Sequence, residues 1–140
     1  MNPRPPKEGD WQAFAHERME RAWYSLQAAR STLEDGFGHT AVNRLYYACF
    51  YAAEALLASG QHSAKTHKGV RTLFNKHFVK PGSFPPDLAD FYNELFDERM
   101  KSDYEAFVEI DAENVRSWLP QAEAFIEEVA AQIDVDDAGP

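Results

Sequence analysis

Arg44, Tyr47 and Tyr51 stand at positions i, i+3 and i+7 of a stretch with helical apolar spacing, so about two turns stack a guanidinium and two phenols on one face. A guanidinium fork suits bidentate recognition of a phosphate. The same group can instead stack on an aromatic ring or cap a carboxylate within a helical bundle. Further along, Lys65, His67 and Lys68 surround Thr66, a residue type that caps helix N-termini. Backbone amides at such a terminus, with two lysines beside them, attract phosphate. The helix dipole there disfavours an imidazolium at His67 and leaves a neutral ring able to accept a proton; alternatively the histidine caps the helix or packs under the preceding loop. Arg99 precedes Asp103 by four residues, the spacing of an intrahelical ion pair, with Tyr104 anchoring the helix exit. The other arrangement turns Arg99 and Tyr104 into a cleft with Arg44. The five histidines form no two-histidine-plus-glutamate helix signature and the single cysteine, Cys49, offers no thiolate pair, so neither a metal nor a cofactor is assigned.

Between Gly36 and Pro86, Arg44, Lys65, Lys68, Arg71, Lys76 and Lys80 face a single carboxylate, Glu54. The whole chain is the reverse, with 14 basic against 23 acidic residues and a net charge of -9. That balance excludes a protein that coats nucleic acid with its entire surface, and leaves either a local anion-binding face or a chance cluster of solvated lysines. At 140 residues and 44% hydrophobic content, the chain fits one domain with a true core. A lone cysteine permits no internal disulfide, and a cytoplasmic location is expected. Met1 to Asp10 carries three prolines and no apolar run, which does not read as a secretory signal, and no stretch approaches the apolar length of a membrane span.

The elements that must position these residues follow from apolar periodicity. Trp11, Ala15, Met19, Ala22, Leu26, Ala29 and Leu33 form one stripe of a long first helix, broken by Gly36 and Gly38. A second helix starts near His39 or Thr40, buries Val42, Leu45, Tyr46, Cys49, Ala53, Leu56 and Leu57, and stops at Ser59-Gly60. The short connection pairs the two antiparallel. Thr66 opens a third helix of about three turns with Val70, Leu73, Phe74 and Phe78 inward and Lys68, Arg71, Thr72 and Asn75 opposite. Pro85 and Pro86 pre-set a fourth, with Leu88, Phe91, Tyr92 and Leu95 on its core face. Asp111 reads as the N-cap of a last helix whose stripe runs from Val115 through Trp118, Ala122, Phe125, Ile126 and Val129 to Ile133, with Pro120 kinking it or tightening its start. No period-two run qualifies as a strand, so the fold is all-α. A flexible tail over 1–10, a bundle over 11–133 and an acidic tail over 134–140 complete the division.

The string Asn43-Arg44-Leu45-Tyr46-Tyr47-Ala48-Cys49-Phe50-Tyr51-Ala52-Ala53 is followed by Lys65-Thr66-His67-Lys68-Gly69-Val70, Phe78-Val79-Lys80, and Arg99 ahead of Asp103-Tyr104. In this ordered combination the chain resembles the HEPN family of small prokaryotic helical proteins, from about Ala41 to Glu128. The resemblance implies an up-and-down bundle of four or five helices, homodimeric, and often encoded beside a minimal nucleotidyltransferase as a toxin and antitoxin pair. Active members of that family are metal-independent ribonucleases. Their signature is an arginine followed on the same helix by a histidine; Arg44 matches the arginine, and the residue at the histidine position is Tyr51. A phenol titrating near 10 is a poor base where an imidazole near 6.5 is a good one. Tyr51 can still hold a phosphate or orient a water, or simply pack with its hydroxyl wet.

The expectation is therefore a dimer cleft built from Arg44, Tyr47, Tyr51, His67 and Lys68, with Asn43, Lys65, Arg71, Arg99 and Tyr104 contributing to binding. Its ligand is RNA or a nucleotide. Cleavage would run by attack of the ribose 2'-hydroxyl, with Arg44 stabilising charge and His67, or a water held by Tyr51, moving the proton. The competing expectation is a non-catalytic module that binds a nucleotidyltransferase partner or a nucleotide. In that case Tyr51 or Tyr104 is a conceivable acceptor of AMP.

Overall fold

The computed structural model describes residues 10–104 and 112–137, with side chains described over 10–99 and 113–134. Five helices, α1 (Trp11–Glu34), α2 (Gly38–Ser59), α3 (His67–Phe74), α4 (Pro86–Tyr104) and α5 (Ala112–Asp137), account for the described residues without any strand among them. A π-helical turn, Asn75–Val79, continues α3. The periodicity of the sequence thus translates into an all-helical bundle. Its fifth helix runs past Ile133 to Asp137. Tail residues 1–9, the expected cap Asp111, and the side chains of Asp103 and Tyr104 lie outside what is described.

Helix α2 is the axis of the molecule. It packs most extensively on α1 and also touches α3, α4 and α5. Ala41, Ala48, Ala52, Ala53, Ala55 and Ala58 are all fully buried along it, small side chains that let neighbouring helices approach closely. Larger groups, Leu45, Tyr46, Phe50, Leu56 and Leu57, fill the space between. An aromatic layer lies beyond: Phe74 sits 5.1 Å from Phe84 and 5.4 Å from Tyr92, and Phe125 from α5 meets both Phe84 and Tyr92. Arg18, early in α1, meets Glu54, late in α2, which fixes the two helices as antiparallel.

The same exit motif ends three helical segments. After α1, Phe37 N–H donates to the Thr32 carbonyl and Gly36 N–H to Leu33, with Gly36 left-handed at φ 86°. After the π turn, Ser83 donates to Phe78 and Gly82 to Val79, with Gly82 at φ 85°. After α2, His62 donates to Leu57 and Gln61 to Ala58, but here the left-handed residue is Gln61, at φ 62°. The expected stop at Gly60 is therefore a stop of another kind. Gly60 keeps a negative φ, and its missing side chain leaves room for the His62 ring, whose Cδ2 would lie 3.2 Å from a Cβ at that position.

The connection then delivers Thr66, whose hydroxyl accepts from Gly69 N–H at 2.9 Å and opens α3 as the sequence requires. Gly69 has to lack a side chain, since a Cβ would lie 2.9 Å from that hydroxyl oxygen and 3.0 Å from Ala64 Cβ. The far end of α3 is tied to α4 by a reciprocal amide pair, Asn75 with Asn93, each donating to the other at 3.3 Å. Pro120 sits within a continuous α5 with its ring exposed. A non-glycine residue in the left-handed region costs roughly 1 kcal/mol or more. Gln61→Gly is accordingly expected to hold or raise the urea midpoint, whereas Thr66→Ala is expected to cost about 1 kcal/mol; a Gln61→Gly variant less stable than Thr66→Ala would contradict this reading of the loop.

Candidate anion-binding site

One strip of α2 escapes full burial, and on it lie Asn43, Arg44, Tyr47 and Tyr51. Arg44 donates through Nη2 to Asn43 Oδ1 at 2.8 Å, and its guanidinium carbon stands 5.0 Å from the centre of the Tyr47 ring. Asn43 therefore orients the arginine rather than facing a ligand alone. Arg99 comes in from α4, 5.5 Å from the Tyr47 ring and 5.0 Å from that of Tyr46. His67, the first residue of α3, meets Tyr47 edge-on at 5.5 Å and 88°. Three elements thus bring Arg44, Arg99 and His67 to one phenol ring.

The imidazole is clamped from beneath. Its ring lies parallel to Phe50 at 4.1 Å and 6°, and its Nδ1 is 2.9 Å from the hydroxyl of fully buried Tyr46. Burial, and secondarily the positive charge of Arg99, lower the His67 pKa below the ordinary histidine value, so the ring is neutral at pH 7. Burial pushes the Tyr46 phenol in the other direction, well above its usual range, and it keeps its proton.

Tyr51 belongs to a different environment one turn along, 5.7 Å from Tyr47. Two α1 arginines flank its ring, Arg18 at 5.4 Å and Arg21 at 5.9 Å. Both are neutralised locally. Arg18 pairs with buried Glu54 at 3.3 Å, while Glu17 accepts from Arg18 and Arg21 together. Burial outweighs the neighbouring guanidiniums at Glu54 and raises its pKa, whereas at half-exposed Glu17 the two arginines win and lower it. Tyr51 is thus a ring packed against a charge-balanced network.

The remaining expected residues divide. Lys65 and Lys68 are exposed around the Thr66 cap. Arg71 lies 3.9 Å over the Phe96 ring and pairs with Asp97 at 3.4 Å, so its charge is shared with α4. Sequence reasoning placed Tyr46 in the core only and gave Phe50, Arg18, Arg21 and Glu17 no role. One signal was available: Arg18 falls three residues after Ala15 and four before Ala22, inside the buried stripe, and Glu54 lies three before Leu57 on the buried helix opposite. Two opposite charges at buried positions of paired helices point to each other. His62 and His77 form a second ring stack, at 4.0 Å, away from these residues.

The HEPN domain family model matches residues 15–132 of the chain. A UPF0332 protein of Thermotoga maritima is 40% identical over 114 residues, covering 81% of this chain and 86% of its own length. Two proteins of Methanocaldococcus jannaschii named "Putative toxin", MJ0142 and MJ0605, are 33% and 31% identical, covering 77% and 79% of this chain and 74% and 82% of their own lengths.

Two measurements probe this geometry. Glu54→Ala removes the buried partner of Arg18, which keeps Glu17, and is expected to cost about 1–3 kcal/mol, a loss the double variant Arg18→Met/Glu54→Leu should largely restore; equal stability of wild type and Glu54→Ala would contradict a buried pair. For His67, a folded pKa below the unfolded value means that the unfolded chain binds more protons, so stability is full above about pH 6.5 and is lost as pH falls through that value. His67→Gln should flatten part of the decline in melting temperature between pH 8 and pH 5.5, and an unchanged slope would count against it.

Proposed function

We propose, for a chain that belongs to the HEPN domain family, that it is a toxin-type member binding RNA phosphates at the face around Tyr47. The observation that carries this reading is the convergence of Arg44, Arg99 and the neutral His67 on the Tyr47 ring, with Lys65 and Lys68 exposed next to His67 in the chain. Guanidiniums offer charged donors to a phosphate, and a histidine N–H adds a neutral one. The names of the two Methanocaldococcus relatives support the toxin class. The homodimer that the family resemblance implies would join two such faces into one cleft. A net charge of -9 repels the rest of the nucleic acid, so only a few phosphates are met and binding is sensitive to salt.

Whether binding proceeds to cleavage turns on a proton acceptor. Arg44 would stabilise a charged phosphorane, but at the position of the family's histidine stands Tyr51, its ring flanked by Arg18 and Arg21. A phenol in place of an imidazole favours the second reading, a non-catalytic module that keeps the phosphate-binding face and pairs with a nucleotidyltransferase.

Anisotropy of a fluorescent single-stranded RNA separates these readings. Binding by the wild type should weaken about tenfold in Arg44→Ala and in Arg99→Ala, with a log–log salt slope near about -2 for three phosphate contacts. Unchanged affinity in both variants would overturn the assignment of the face. Incubation of the same RNA in EDTA then decides the chemistry: Arg44-dependent products ending in 2',3'-cyclic phosphate establish a ribonuclease, and intact RNA at saturating protein establishes the binding module.

A further inference from the structure

We propose that Tyr46 is a positioning residue that fixes His67 with its proton on Nε2, making the imidazole a hydrogen-bond donor to the ligand and not a proton acceptor. The inference rests on the phosphate-binding reading for its ligand, though its structural half stands apart from it. Tyr46 is fully buried, walled by Phe50, Tyr92 and Phe96. Its hydroxyl carries one proton, and among the described residues its hydrogen-bond partner is His67 Nδ1, at 2.9 Å.

Two arrangements satisfy that distance, and they are unequal. If Nδ1–H donated to the phenol oxygen, the phenolic proton would be left buried without an acceptor, an imbalance that corresponds to about tenfold or more in population. If the phenol donates to Nδ1, the buried phenolic proton has its acceptor and the ring proton sits on Nε2. Burial keeps the phenol protonated, so this donor persists across the neutral pH range. Arg99, over the Tyr46 ring, disfavours a second proton on the imidazole. Stacking on Phe50 and the edge contact with Tyr47 hold the ring against a flip that would put Cδ2 in the place of Nδ1. Nε2–H then lies on the edge of the ring away from Tyr46, on a residue that is only partly buried, where it would donate to a ligand oxygen. A neutral imidazole acting as donor in this way is established chemistry for stabilising an oxyanion. The role foreseen for His67 as a substitute base gives way to one in binding.

Long-range 1H–15N correlation spectra of the labelled full-length protein at pH 8 test this directly. The expected wild-type signature is a protonated Nε2 with an unprotonated Nδ1. Tyr46→Phe, which keeps the buried ring, should show averaged nitrogen shifts from mixed tautomers and bind single-stranded RNA several-fold more weakly. His67→Gln, whose side-chain amide can present N–H near the Nε2 position, should hold RNA affinity within about threefold, where His67→Ala loses about tenfold. A wild-type neutral ring protonated on Nδ1, or a tautomer that Tyr46→Phe leaves unchanged, would overturn the proposal whether or not any variant folds less well. Wild-type protein that shows the expected tautomer yet binds no RNA would overturn the phosphate-binding reading and the donor role, and would leave only the positioning of the ring by Tyr46.

Discussion

A helix that must pack on four neighbours has almost no surface left over, and α2 is such a helix. Its alanines bring α1, α3, α4 and α5 close enough to bury Tyr46, Cys49, Phe50 and Glu54 completely or nearly so. What stays open is the strip carrying Asn43, Arg44, Tyr47 and Tyr51, and the rest of the functional architecture depends on what the neighbouring helices bring to that strip. Alpha4 contributes Arg99 and α3 contributes His67, both at Tyr47; α1 contributes Arg18 and Arg21, both at Tyr51. Two adjacent phenols on one helix thereby acquire different chemistry. Around Tyr51 the charges of Arg18, Arg21, Glu17 and Glu54 cancel, while no carboxylate among the described contacts offsets Arg44 at Tyr47.

Rigidity in this arrangement comes from beneath the surface. The Thr66 cap sets the first turn of α3 and so the starting point of the His67 side chain, and Gly69 leaves space for that cap. Phe50 supplies the floor of the imidazole and Tyr46 its hydrogen bond, both from the buried side of the same helix that presents Arg44. A phosphate bound as proposed at Arg44 and His67 would meet groups already held by core packing, which would lower the entropy lost on binding. In the proposed binding, the chain's net charge of -9 would work against that attraction.

Helix order and the inward residues were legible because each stripe repeats at three and four residues over several turns, and the Thr66 cap because its residue type and place are both diagnostic. The HEPN membership was legible from the ordered run beginning Asn43-Arg44, and the family match over residues 15–132 bears it out. Less legible was anything that depends on two helices meeting. Periodicity shows that Phe50 and Tyr46 are buried, but only the placement of α3 puts an imidazole on one and against the hydroxyl of the other. Arg18 reads as an ordinary surface cation until α1 is paired with α2, at which point its place in the buried stripe demands Glu54. Gln61 hides for another reason: glycine is the usual left-handed residue at a helix exit, and here the space for the His62 ring reserves Gly60 for a different task.

The most direct test of the account is where RNA touches the protein. Backbone and side-chain NMR shifts followed through a titration with a short single-stranded RNA at low salt should change most at residues 43–51, at 65–68 and at Arg99, and should be unaffected by adding excess EDTA. Shifts confined to another face, or spread evenly over the lysines with none at Arg44, Tyr47 or His67, would contradict a phosphate-binding site built on the open strip of α2.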